Sequence, residues 1–321
     1  MQDREIRRAG RGRTSRIIFL LVLGLSIAGP WLFAEAPRDF AIEGIAMKAI
    51  PAGVFLMGSP EDEPGRGAFE GPRTRVIISQ PFWLGRTAVT HGQWKALMGT
   101  DLAAQARKAF PNDNGAAGYL ANAGDNVAMY FVNWDDAMAF CRKLNERARA
   151  DGSLPAGYAY TLPTEAQWEY ACRAGTTDAT YAGPMQILGK NNAPVLDAIA
   201  WYGGNSSVGY EGPGLDTSAW PEKAFPGGTA GPRDVALKQP NPWGLCDMLG
   251  NVYQWCRDFP ADTLSGGTVT DPVGLAHGSD RAVRGGGWHS DAAFCRCAYR
   301  ARNIGLNRSL FIGFRVALAP R

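Results

Sequence analysis

From Thr176 to Pro242 the chain runs through Gly, Pro, Asn and Ser without holding a helical or a strand period, and this stretch constrains the fold more than any other. A loop this long inside a compact domain is either functional or held by its neighbours. Trp201, Tyr202 and Trp220 stand in it as isolated anchors. The whole chain points the same way, because 40 Gly, 21 Pro and 10 Trp in 321 residues predict short elements, irregular connections and a core filled by large rings. With 45% hydrophobic and 20% charged residues, the chain is neither disordered nor a coiled coil.

The first 36 residues obey different rules. Arg4, Arg7, Arg8, Arg11, Arg13 and Arg16 precede an apolar run from Ile17 to Ala28, and Ala34-Glu35-Ala36 supplies a small-x-small cleavage signal. This reads as an export signal, with an uncleaved membrane anchor over residues 17–34 as the rival. The expected location is periplasmic or secreted. Of the 33 basic and 30 acidic residues, the leader holds those six arginines and three acids, Asp3, Glu5 and Glu35. The remainder is neutral overall, which gives no electrostatic case for nucleic acid.

Residues 37–46 read as a linker and residues 47–321 as one domain. Its opening part alternates apolar runs with turns, from Ala49 to Met57 around Pro51-Ala52-Gly53 and from Val76 to Leu84. Three helices are announced by their starts. Thr90 with Gln93 and Thr164 with Gln167 make capping boxes, and Asn133 caps a longer helix that Asp151-Gly152 ends. After export, Cys141, Cys172, Cys246, Cys256, Cys295 and Cys297 would meet an oxidising compartment, where one or two bridges pinning loops are expected.

Several stretches, in order, resemble the formylglycine-generating enzyme (sulfatase-modifying factor) family. They include Gly53-Val54-Phe55-Leu56-Met57-Gly58-Ser59, Val132-Asn133-Trp134-Asp135-Asp136-Ala137, Leu162-Pro163-Thr164-Glu165-Ala166-Gln167-Trp168-Glu169-Tyr170, Asp247-Met248-Leu249-Gly250-Asn251-Val252, Arg284-Gly285-Gly286-Gly287-Trp288 and Gly313-Phe314-Arg315-Val316. The resemblance spans about residues 47–318 and implies an α+β, C-type-lectin-like fold with little regular structure. It also implies an activity: the family's enzymes use copper and oxygen to oxidise a cysteine of a client sulfatase, through two cysteines just after the Gly-Gly motif.

Here the pattern breaks. Counting from Gly285-Gly286, the first cysteine position is Ser290 and the second is Cys295, so one thiolate of a cuprous pair is missing. Cys295 is the remaining catalytic candidate. The resemblance further implies a Cys172–Cys297 disulfide and leaves Cys141, whose family partner falls at Val316, as a buried free thiol. Where the family carries Gly-Asn-x-Trp-Glu-Trp, this chain has Gly250-Asn251-Val252-Tyr253-Gln254-Trp255. Calcium held through Asn251 and Gln254 would therefore lose a charged ligand.

Residues 289–311 contain no Lys, Glu, Gln, Met or Trp, and every residue type present can be encoded by a codon ending in C. Mutagenesis of adenines in AAC codons leaves that signature. The segment resembles a second, narrower group, the variable proteins of diversity-generating retroelements, which diversify the end of this lectin-like domain. That resemblance assigns the ligand-binding positions to His289, Ser290, Asp291, Phe294, Tyr299, Ala301, Ser309, Leu310 and Phe311, on a framework of Trp288, Ala292, Arg296, Ala298, Arg300, Asn307, Arg308 and Gly313-Phe314-Arg315. Arg296, Arg300 and Arg315 read as internal ties rather than an anion-binding face.

Two functions follow. The first is a binding protein that displays residues 289–311 to a protein or glycan. The alternative is a formylglycine-generating oxidoreductase acting on exported clients, for which alone copper is needed. A membrane enters either reading only through an uncleaved leader.

Overall fold

The computed structural model describes residues 38–113 and 120–321, so the expected leader lies outside the described residues. In chain order the elements are β1 (Phe40–Ile42), β2 (Ile45–Ile50), β3 (Gly53–Met57), β4 (Thr74–Ile78), β5 (Phe82–Gly85), α1 (His91–Met98), α2 (Leu102–Ala109) and α3 (Trp134–Ala150). There follow β6 (Tyr158–Thr161), α4 (Glu165–Arg173), β7 (Leu215–Asp216), β8 (Thr229–Ala230), β9 (Tyr253–Trp255), β10 (Thr268–Thr270), β11 (Asp280–Arg284), β12 (Arg300–Ile304), β13 (Ile312–Phe314) and β14 (Ala317–Pro320). No helix among the described residues is long and apolar enough to cross a membrane.

The two ends of the domain meet in one sheet of order β1-β2-β5-β14-β6, in which Ala317 of β14 lies opposite Leu84 of β5. This corrects the linker expected over 37–46. Phe40 pairs with Met47 across β1 and β2, and Ile45 and Met47 are buried because their side chains face the core. A second sheet, β12-β11-β9-β13, carries the C-terminal third, and a third, β10-β4-β3, pairs β10 from that third in parallel with β4 from the chain's opening part.

The three expected helices form where their caps stand. Thr90, Asn133 and Thr164 each accept from the amide three residues on, and each helix carries the reciprocal half of the box. Their buried faces hold Trp94 of α1, Phe140 of α3 and Trp168 of α4, and Trp94 stacks on Phe140 with centroids 5.8 Å apart. The helix α2 was not anticipated; its alanines give no strong apolar stripe, and only the Asp101 cap marks it.

The long loop is held by neighbours. Trp201 lies between the Arg233 guanidinium, 4.2 Å from its ring centroid, and the Lys238 ammonium at 3.9 Å. Asn241 donates to the Ala171 carbonyl at 2.7 Å and accepts from Leu245 N, tying the end of the loop to α4.

Candidate functional site

The site begins where β11 ends. Gly285 and Gly286 take φ of 98° and 74°, and a Cβ on Gly286 would stand 2.6 Å from Cys295 Sγ, so glycine is required there. The turn that follows is closed by its own residues: Trp288 N donates to Asn251 O at 2.7 Å and Gly287 N to Ser290 Oγ at 2.9 Å. Ser290, anticipated as a ligand-binding position, is instead a buried turn-former, 2% exposed.

Cys295 does not have the surroundings of a catalytic thiolate. It is fully buried, and that burial pushes its thiol up to about 12, so the neutral form prevails at neutral pH. The position that would hold a second sulfur is the Ser290 hydroxyl, already accepting a backbone hydrogen bond. A lone, enclosed thiol beside a spent hydroxyl does not fit a cuprous ion, which favours two thiolates. Among the described residues no three His, Cys, Asp or Glu side chains gather as a metal site.

The calcium pair is corrected for a related reason. Gln254 Oε1 accepts from Trp168 Nε1 at 2.8 Å and from Arg315 Nε at 2.9 Å, and a cation beside that guanidinium would be repelled. Asn251 Oδ1 accepts from Arg233 N and its amide returns a bond to Arg233 O. Both side chains tie loops together.

Cys172 and Cys297 do face each other, both buried, with sulfurs 3.5 Å apart and no bond between them. Cys141 is a free, buried thiol raised to about 12 by burial.

The eight remaining anticipated binding residues, His289, Asp291, Phe294, Tyr299, Ala301, Ser309, Leu310 and Phe311, are all partly exposed. Most of the framework assigned beside them is buried: Trp288, Ala292, Arg296, Ala298, Arg300, Gly313, Phe314 and Arg315, with Arg308 half-buried and Asn307 exposed. His289 stacks on Phe311 with centroids 3.6 Å apart, Trp288 packs on both, and Tyr253 and Trp220 extend the aromatic cluster. Burial lowers the His289 pKa to about 4, so the ring is neutral. Beside the cluster, Ser309, Leu310 and Phe311 line a cleft of about 400 Å³ with Phe110, Phe131 and Leu215. Phe294 and Tyr299 form a separate stack, at 4.7 Å, that Phe69 flanks. Trp220, Tyr253, Phe110 and Leu215 were not anticipated; a hint lay only in Trp220 as a loop anchor and in Tyr253 replacing the family's tryptophan.

The arginines hold this surface from beneath. Arg296 pairs with Glu63 and Glu70, both at 2.6 Å, and Arg300 forks onto Glu165 at 2.7 and 2.9 Å. Burial opposes the charges on Glu70 and Glu165, yet the guanidiniums prevail and both pKa values fall. Arg284 pairs with Glu169, and Arg315 donates to the carbonyls of Gly85, Cys246 and Asp247.

Comparison with known proteins agrees with this geometry. Residues 33–320 match the sulfatase-modifying factor enzyme 1-like domain. The chain is 25% identical to the formylglycine-generating enzyme of Mus musculus, over 88% of this chain and 77% of that one, and 26% identical to that of Thermomonospora curvata, over 89% and 96%. Among solved structures it is similar to Treponema denticola variable protein 1, with a TM-score of 0.65 and 27% identity over 88% of this chain and all of the other. The expected α+β, C-type-lectin-like fold is thereby shown, and the chain belongs to the sulfatase-modifying factor family.

Proposed function

We propose that this protein is an exported, ligand-binding member of its family, which grips a partner through residues 289–311 and does not oxidise cysteine. One observation carries the reading: exposure follows the assigned split between varied and framework positions at all but Ser290, Asn307 and Arg308, while the one sulfur at the catalytic position is sealed. Backbone and buried arginine pairs hold the frame, so exposed side chains can change without loss of the fold.

A protein partner suits the cleft better than a glycan. Each of its polar side chains already makes one bond within the protein, with Arg308 Nε on Asp136 at 2.8 Å, Ser309 Oγ accepting from Phe311 N and Asn307 Nδ2 donating to Asn303. Most of the lining is apolar, and Ile304 and Leu306 are exposed nearby in the chain. Such surface rewards an apolar side chain and leaves sugar hydroxyls unpaired.

Sequencing the DNA around the gene tests the diversification. The reading expects a near-copy of the gene's own 3′ end carrying extra adenines, with a reverse-transcriptase gene nearby; a neighbourhood without them removes the diversification claim. The oxidase alternative rests on family membership and requires Cu(I) binding through Cys295.

A further inference from the structure

We propose that the cleft bounded by β4, the start of α4 and residues 261–275 binds an aliphatic primary ammonium ion, with the Asp258 carboxylate as its counter-ion. The cleft, of about 610 Å³, lies within the range of small-molecule sites. Its walls are apolar: Met57, Val76, Leu264, Val269, Val273 and Leu275. Val273 and Leu275 are each 52% exposed, a surface that the alkyl stem of a ligand would cover.

The polar floor is unbalanced. Glu165 is answered by the two bonds from Arg300, and Arg284 is taken by Glu169 and by the carbonyls of Cys297 and Ala298. Asp258 has no such partner. It is 4% exposed, its Oδ2 accepts from Glu165 N at 2.8 Å, and Oδ1 receives no hydrogen bond from another described residue. Of the nearby cations, Arg281 lies over the Trp134 and Phe259 rings and donates to Arg257 O. A buried carboxyl with an open oxygen, at the base of an apolar cleft, is matched by one positive point charge on an alkyl chain.

The same geometry selects ammonium over guanidinium. A guanidinium fork seeks both carboxylate oxygens, and Oδ2 is occupied by the α4 amide, whereas an ammonium needs only Oδ1. Burial, reinforced by the charge of Glu165, raises Asp258 to about 7 against the weaker pull of Arg257. Glu165 pairs with Arg300 and Arg284, and Asp271, at the rim, is bonded to Ser79. Near neutrality an arriving ammonium would therefore displace a proton from Asp258.

The test titrates the full chain with hexylamine, hexan-1-ol and hexanoate at about pH 6, by calorimetry and by carbon NMR of the Asp258 carboxyl. Saturation by one hexylamine, binding of the other two weaker by about tenfold or more, and movement of the Asp258 carbon to its ionised position would support the site. Asp258→Asn keeps an oxygen for Glu165 N and should lose about tenfold or more in affinity. Equal binding of hexanol, or an unmoved Asp258 carbon in the wild type, would overturn the proposal even if the variant failed to fold.

Discussion

His289 and Phe311 stack ring on ring, with centroids 3.6 Å apart and planes inclined at 27°, closing the two ends of one segment into a single surface. Both rings are partly exposed, and they rest on Trp288, which is not. Apart from Ser290, the layering recurs along the segment: partly exposed side chains above, buried Trp288, Arg296 and Arg300 below.

That layering predicts a contrast in stability. Arg296→Ala would strand Glu63 and Glu70 in the interior and should cost about 3–5 kcal/mol. Leu310→Ala and Phe311→Ala, half-buried at a cleft, should each cost about 1–2 kcal/mol. Urea unfolding measures both, and equal losses would contradict the division into frame and face.

The facing sulfurs of Cys172 and Cys297 should close into a disulfide when the protein folds under oxidising conditions. The bridge would join α4 to the C-terminal segment and contribute about 2–4 kcal/mol. Peptide mapping of oxidised protein reads the pairing directly. Two free thiols at these positions would refute it.

Asp258 sets a pH dependence. Its native pKa of about 7 lies above the ordinary 3.8, so the folded chain keeps a proton that the unfolded chain has shed between those values. Its contribution is complete below the lower value and falls as pH rises through the higher one. Asp258→Asn cannot ionise and should gain on the wild type by on the order of 2 kcal/mol between about pH 5 and pH 8. Parallel denaturation curves at those two pH values would rule this out.

The Cys295 thiol should resist alkylation in the native, reduced protein at about pH 8, because burial holds it neutral and enclosed. Iodoacetamide labelling followed by mass spectrometry should find Cys295 modified only after unfolding. Rapid native labelling would show that the pocket opens.

Much of the fold was legible because it is written in local chemistry. The caps at Thr90, Asn133 and Thr164 start helices on the residues that carry them, and the Gly-rich punctuation foretold short strands. The arginine ties were readable as a class, since few acids follow Arg281, but their partners Glu63, Glu70 and Glu165 come from far earlier in the chain and only the fold reveals them. The hydrogen bonds at Gln254 were hidden for the same reason. Nothing near Gln254 in sequence announces Trp168 and Arg315 as its donors. Likewise β1 was hidden because Phe40-Ala41-Ile42 is too short to show a strand period, and its worth lies in pairing with β2.

The central claim, that this scaffold grips and does not oxidise, is tested most directly by titrating folded, reduced protein with Cu(I) against a chromogenic competitor, then offering it a cysteine-containing sulfatase peptide and oxygen. The account predicts that the competitor keeps the copper and that the peptide gains no aldehyde. Stoichiometric Cu(I) uptake that disappears in Cys295→Ala, together with aldehyde in the peptide, would contradict it.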